Sequence, residues 1–340
     1  MADRDPVDRI LFVDLLGGLG DLVMALPAVH ALRRRHPRAR LSVVTHAPGD
    51  QLLLHDPAVS EVVRAERGRE RAAVLAELDR WRPQLAVTTT RYDGIADDIE
   101  ELVPRSVTNL WRDPPPDEPV GARYLRILAE EGVISNADVD LLPSIVLTGA
   151  ERAEGERVLG SQEPRPVVLV PSAGMAVKEW PHWRQLATAL AGRAYVAGEP
   201  PVLEAWRGGP ARLLPPLSLR GLAAVFAAVG RRGGVVVGPD TGPVRVAAAV
   251  GARTVGIFGP TLAARYGLAQ GPSGLPGVDL QGLPGCPHRR PTSITEQVCW
   301  WEARCPLSPL GPACMADVTP GQVLDLLPAR QLAVGAVGQK

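Results

Sequence analysis

The chain has 340 residues, with 37 basic and 37 acidic side chains, so its formal net charge is zero. This length is sufficient for two domains with separate cores, and a neutral chain lacks the basic surface that nucleic-acid binding requires. No apolar run reaches about 18 to 20 residues, and the charged residues 1–8 do not have the form of a signal peptide. We therefore expect a cytoplasmic protein that does not bind nucleic acid.

Predicted strands and helices alternate through the first 150 residues. Apolar runs predict strands at residues 10–13, 41–45, 59–63 and 85–88. Helical spacing of apolar residues predicts helices over residues 22–36, 69–80 and 121–132. This alternation indicates an α/β fold with a parallel sheet. We assign residues 1–150 to a first domain, with the linker near Ala150.

The same alternation returns in residues 151–340, which we assign to a second domain. Its predicted strands are residues 167–170, 194–197, 235–237 and 254–258. Its predicted helices are residues 183–191, 221–228, 243–250 and 319–327. After Gly259 the regular pattern fades into a cysteine-rich tail segment at about 284–316. We expect two doubly wound units that face each other across a cleft, with ligands at the carboxyl ends of the strands.

Lysine is rare in this chain, which has 35 arginines and two lysines. One of the two, Lys178, follows the predicted strand 167–170 in a loop that also contains Ala173 and Gly174. A compact ammonium in a loop of small residues suits contact with a phosphate oxygen. The alternative is a lysine on a solvated loop, and this residue alone does not decide between them.

Two glycine-containing turns precede predicted helices. The first, residues 17–21, lets backbone approach an anionic ligand at a helix N-terminus, and Asp21 is there either a general base or only a helix cap. The second, residues 238–243, offers the backbone N–H groups of Thr241 and Gly242 to a diphosphate. Asp240 orients this turn or reaches a sugar hydroxyl. The alternative for the second turn is a cap with no ligand.

These segments occur in the order seen in one known family. Residues 20–28, 172–181, 217–219, 240–243 and 257–261 resemble the motifs of glycosyltransferase family 9, the lipopolysaccharide heptosyltransferase family, at matching intervals. The resemblance spans nearly the whole chain. It implies the GT-B fold, in which two Rossmann-like domains face each other, with the acceptor on the N-terminal side and the nucleotide sugar on the C-terminal side.

The resemblance also implies roles for single residues. Asp21 falls where the family has its catalytic base, and Lys178 falls where it has a lysine on the donor diphosphate. Arg245 stands where the family often has a histidine, and a guanidinium can still hold a phosphate. The donor-binding residues that we predict are Gly18, Gly20, Ala173, Gly174, Lys178, Leu217, Asp240, Thr241, Gly242 and Arg245, with Leu217 at the nucleotide base.

The activity implied by the resemblance is inverting transfer of a sugar, heptose from ADP-heptose, to an acceptor hydroxyl, with no cofactor required for the transfer. Leu15 replaces a basic residue that the family often has, which points to a less anionic acceptor: a glycolipid, a natural product or a protein. Peripheral membrane contact and the oligomeric state are left open. The alternatives are a non-catalytic nucleotide-sugar-binding protein and a GT-B-fold nucleotide-sugar epimerase.

All four cysteines of the chain lie within 29 positions. Four thiolates are sufficient for a structural zinc or iron ion or for an iron-sulfur cluster, and some relatives place iron on cysteines in this region. Disulfides are disfavoured in a reducing cytoplasm, and free buried thiols are the alternative to a metal. The candidate ligands are Cys286, Cys299, Cys305 and Cys314.

Overall fold

The computed structural model describes residues 7–160, 164–268 and 277–328. Within these residues the chain forms two parallel sheets, one of five strands and one of six. Residues 1–6, on which part of the signal-peptide argument rests, lie outside the described residues. None of the described helices is long and apolar enough to cross a membrane.

The first sheet lies within residues 9–107. Its strands are β1 (Arg9–Asp14), β2 (Arg40–His46), β3 (Glu61–Ala65), β4 (Leu85–Thr88) and β5 (Ser106–Val107), in the order β3-β2-β1-β4-β5. The helices of this half are α1 (Leu19–Arg35), α2 (Glu70–Trp81), α3 (Ile95–Leu102) and α4 (Val120–Glu130). β1 and β2 are buried along almost their whole length, as expected for a parallel sheet that helices cover on both faces.

The second sheet lies within residues 167–281. Its strands are β6 (Val167–Leu169), β7 (Ala194–Val196), β8 (Arg212–Leu213), β9 (Val235–Pro239), β10 (Arg253–Phe258) and β11 (Val278–Gln281), in the order β11-β10-β9-β6-β7-β8. The helices of this half are α5 (Gly149–Leu159), α6 (Trp183–Ala189), α7 (Pro200–Ala205), α8 (Leu219–Arg231), α9 (Gly242–Ala249), α10 (Ala263–Tyr266), α11 (Ala313–Asp317) and α12 (Pro320–Asp325). Both strand orders are those of doubly wound Rossmann-like units, which confirms the predicted fold class.

The strand order of each sheet reverses beside the first strand of that unit. β1 lies between β2 and β4, and β6 lies between β7 and β9. Ligands of open α/β sheets bind at the carboxyl ends of the strands where the order reverses. The segments that follow β1, β4, β6 and β9 are therefore where the fold places a ligand.

Each predicted strand and helix has a counterpart within a few residues, but the prediction was incomplete. The elements it missed are α3, α5, α7, α10, α11, β5, β8 and β11. The expectation that regular structure fades after Gly259 is wrong, because β11 pairs in parallel with β10 there. Ala150, near which the linker was predicted, lies in the first turn of α5. The domain limits at residue 150 stay a prediction.

Candidate active site

The two predicted turns meet in the cleft between the sheets. α1 begins at Leu19 and α9 begins at Gly242. A Cβ atom on Gly242 would lie 2.6 Å from the Cβ of Leu19, and one on Gly20 would lie 3.0 Å from the Cδ of Arg245. Both glycines therefore allow the close approach of two helix N-termini, whose free N–H groups favour an anion.

A buried carboxylate with two cationic partners lies beside this contact. The Nζ of Lys178 donates to the Oδ2 of Asp240 at 2.9 Å and to its carbonyl oxygen at 3.1 Å. The guanidinium of Arg245 donates to the other carboxylate oxygen of Asp240. Burial alone would raise the pKa of Asp240, but Arg245 and Lys178 outweigh burial and hold this pKa well below its usual range. Asp240 is therefore ionised, and the cluster keeps one surplus positive charge for a ligand anion.

Asp21 lies in the first turn of α1, near enough to Arg245, Asp240 and Lys178 for their charges to act on it. Its side chain is half-buried. Burial raises the pKa of Asp21, and this effect outweighs the lowering by Arg245 and Lys178. A carboxylate with a raised pKa is a stronger base near neutral pH, so the environment suits proton abstraction. The role of Asp21 as the base stays a prediction.

Asp14 is a site residue that sequence reasoning missed. It ends β1, it is buried, and one of its carboxylate oxygens accepts a hydrogen bond from Thr89 at 2.5 Å. Burial, with Asp21 nearby, raises the pKa of Asp14 to about 7. Asp14 lines a cavity of about 60 Å³ together with Thr45 and His46. The signal in the sequence is an acidic residue at the end of an apolar strand.

The other predicted donor-binding residues lie at ends of elements around the same cleft. Gly18 is exposed at the start of α1, and Leu217 is half-buried directly before Ser218, whose side chain caps α8. Ala173 is half-buried in the loop after β6. A Cβ atom on Gly174 would meet no atom within 4 Å, so this loop is open to a ligand. Contacts between these residues and a donor stay predictions.

The segment that contains the four cysteines lies beside the second sheet. Cys286, Cys299, Cys305 and Cys314 are free thiols that line one cavity of about 10 Å³. Burial raises the pKa of Cys299, and it raises the pKa of Cys314 to about 12. In the described part of the chain, no three His, Cys, Asp or Glu side chains form a group that could hold a metal ion. The thiols as placed do not form a ligand set, and the metal stays a prediction.

Residues 112–274 match the model of glycosyltransferase family 9 (heptosyltransferase). This match confirms the resemblance that the motifs carry and supports a glycosyltransferase. No curated protein matches the chain.

Several solved structures share the fold. A glycosyl transferase family 9 protein from Veillonella parvula is 14% identical, with a TM-score of 0.72, and the match covers 94% of this chain and 95% of that chain. The ADP-heptose lps heptosyltransferase II of E. coli is 19% identical, with a TM-score of 0.67 and coverages of 93% and 96%. The iron-containing dodecameric glycosyltransferase TibC from enterotoxigenic E. coli is 15% identical, with a TM-score of 0.55 and coverages of 94% and 75%. These similarities establish a GT-B fold for the chain.

Proposed function

We propose that the protein is an inverting glycosyltransferase that transfers heptose from ADP-heptose to an acceptor hydroxyl. The nucleotide diphosphate is held by Lys178, Arg245 and the N-terminus of α9, and the acceptor enters from the side of β1. The single observation that carries this proposal is that Asp21 lies near enough to the buried cluster of Lys178, Asp240 and Arg245 for the charges of all three to act on its pKa. In the proposed complex, the base lies on one side of the reacting carbon and the cations lie on the other.

The proposed reaction is a single displacement at the anomeric carbon. The acceptor oxygen forms a bond to this carbon while the bond from the carbon to the diphosphate oxygen breaks, and the hydroxyl proton goes to Asp21. Lys178 and the free N–H groups of α9 stabilise the charge that develops on the leaving diphosphate. Asp240 does not act as the base, because Lys178 and Arg245 hold its pKa low and a carboxylate with a low pKa is a weak base. Its role is to fix the position of the Lys178 ammonium.

The acceptor proposed for this site carries little negative charge near its reacting hydroxyl. Leu15 is buried, and the carboxyl groups of Asp14 and Asp21 lie at this end of the first sheet. A strongly anionic group placed here would be repelled by Asp21. A glycolipid, a natural product or a protein hydroxyl fits this environment, and we propose a cytoplasmic location because the four thiols are unpaired.

Replacement of Asp21 by asparagine tests the proposed chemistry. We expect Asp21→Asn to keep its affinity for ADP but to lose at least about 100-fold in turnover, because a missing general base costs about 10²- to 10⁴-fold. The measurement is ADP release from ADP-heptose over a panel of glycolipid, small-molecule and protein acceptors, with Asp97→Asn, an exposed carboxyl on α3, as the matched control.

Two results would contradict this function in different ways. A wild-type protein that binds ADP-heptose but gives no transfer to any acceptor, with Asp21→Asn indistinguishable from it, would indicate a binding protein. A change in the sugar of ADP-heptose without any acceptor, detected by NMR, would indicate an epimerase. The anomeric configuration of the product separates inverting from retaining transfer.

The metal on the cysteines is a separate part of the proposal. Its support is that Cys286, Cys299, Cys305 and Cys314 line the same cavity. We expect protein purified without chelator to contain zinc or iron near one equivalent, and we expect Cys305→Ser to lose it, because a tetrahedral site needs four ligands. Elemental analysis that finds neither metal in the wild-type protein would leave the free thiols as the correct interpretation.

A further inference from the structure

The ammonium of Lys178 has a third neighbour besides the two oxygens of Asp240. The Nζ atom lies 5.4 Å from the ring centroid of Trp300, within the range of a cation–π contact. Trp300 is 7% exposed, whereas its chain neighbour Trp301 is 74% exposed. One of two consecutive indoles is thus buried against the lysine that the proposed function places on the donor diphosphate.

The segment that carries Trp300 is fixed to the second sheet by a buried arginine. The guanidinium of Arg289 donates to the carbonyl oxygens of Gly259, Gly282, Leu283 and Pro284, which follow the carboxyl ends of β10 and β11. The backbone N–H of Trp300 donates to the carbonyl oxygen of Gln297 at 2.9 Å. Trp300 is therefore held in place by the fold and does not lie on a loose loop.

The loop of Lys178 is also held by a residue that follows the cysteine-rich segment. The indole N–H of Trp180 donates to the carbonyl oxygen of Val318 at 2.8 Å, and Trp180 is 2% exposed. The residues after β11 thus contact the Lys178 loop at two points. This accounts for a tryptophan two residues after the lysine.

We propose that Trp300 is a positioning residue for binding of the donor diphosphate. It acts indirectly, because its indole ring holds the ammonium of Lys178 in place. The cysteine-rich segment then forms one wall of the donor site. This inference rests on the proposed function, because it assumes that Lys178 binds the diphosphate. Trp300 itself is assigned no contact with the reacting atoms.

The hydrogen bonds of Lys178 explain why an indole suits this position. An ammonium has three N–H donors, and Asp240 accepts two hydrogen bonds from it, so one donor remains for a phosphate oxygen. The indole face attracts the ammonium without using a donor, and it excludes water from one side of Nζ. A less hydrated ammonium that keeps one free donor binds a phosphate oxygen more strongly.

A double-mutant cycle on ADP binding tests this inference. We expect Trp300→Leu to weaken ADP binding about 5- to 30-fold, because a desolvated cation–π contact is lost, and Trp300→Phe to lose about 2- to 5-fold. Trp301→Leu, at the exposed neighbouring indole, is the matched control and should bind ADP like the wild type. In the Lys178→Met background, Trp300→Leu should add almost no further loss, because Trp300 acts through Lys178.

The outcomes of the cycle separate this inference from the proposed function. Losses that add in the double variant would show that Trp300 acts by a route other than Lys178, and an unchanged affinity in Trp300→Leu would also overturn the inference. If the leucine variant does not fold, Trp300→Phe carries the same cycle with its smaller expected loss. A wild-type protein that binds none of ADP, GDP, UDP and TDP would instead contradict the proposed function.

Discussion

Three carboxyl groups of the site have shifted pKa values because their surroundings differ: the pKa values of Asp14 and Asp21 are raised, and that of Asp240 is lowered. Asp240 is buried between Lys178 and Arg245, and these cations keep it ionised. Asp14 is buried, with the carboxyl group of Asp21 nearby, and these effects outweigh the hydrogen bond from Thr89, so the pKa of Asp14 rises to about 7. Asp21 is half-buried, and its pKa is lowered by the cations Arg245 and Lys178 but raised by burial and by the Asp240 carboxylate. Carboxyl groups whose pKa values are pushed apart in this way can take different roles in one reaction.

The raised pKa of Asp14 predicts a pH dependence of stability. The folded pKa of about 7 lies above the ordinary value of 3.8, so between these values the folded state binds more protons than the unfolded state, and stability falls as pH rises. Asp14→Asn removes this loss while keeping an acceptor for Thr89. We expect the variant to gain up to about 4 kcal/mol relative to the wild type between pH 4 and pH 8, because one pKa unit is worth about 1.4 kcal/mol.

Urea unfolding of both proteins across this pH range measures the difference. Both proteins share every other titrating group, so their difference reports the titration of Asp14 together with its coupling to Asp21. The quantity compared is the unfolding free energy of Asp14→Asn minus that of the wild type, which we expect to rise with pH. A value that does not change with pH would show that the folded state tolerates the ionised carboxylate. A value that falls as pH rises would contradict the sign of the argument.

At the scale of helices and strands, apolar periodicity predicted the elements that carry apolar side chains. α5 was missed because its contact face contains small residues. A Cβ atom on Gly155 would collide with the carbonyl oxygen of Ala224 in α8, so the two helices pack closely at a glycine. Large apolar residues occur only in the last turn of α5, at Val158 and Leu159, so no helical period of apolar residues reveals the contact. β5 and β8 were missed because each has only two residues, too few for a pattern.

Sequence patterns predicted the candidate site where its residues follow strands, whereas Arg245 and Leu217 were predicted from the family resemblance. Lys178 and Asp240 follow β6 and β9, which are neighbours in the sheet, so the sequence could indicate that these two residues lie together. Trp300 comes from a segment without apolar periodicity, and no local pattern could place it on Lys178. The contact between Gly20 and Arg245 joins the two units, and it depends on how the sheets are arranged.

At the scale of the whole molecule, neither unit contains a complete site. Asp14 and Asp21 come from the first unit, whereas Lys178, Asp240 and Arg245 come from the second. Contacts that join the units include Arg220 of α8, which donates to the carbonyl oxygen of Gln51 at 3.0 Å and also pairs with Glu151. The proposed reaction therefore requires the two units to stay together, and this arrangement aligns base, acceptor and donor.

The central claim is that the cleft between the two units binds a nucleoside diphosphate through Lys178 of the second unit. Calorimetric titration with ADP, GDP, UDP and TDP, on the wild type and on Lys178→Met, tests it most directly. We predict selective binding of ADP that weakens about 10- to 100-fold in the variant, because a hydrogen bond to a charged group contributes about 1.5 to 3 kcal/mol. Binding of ADP with equal affinity by both proteins, or no binding of any of the four nucleotides by the wild type, would contradict the account.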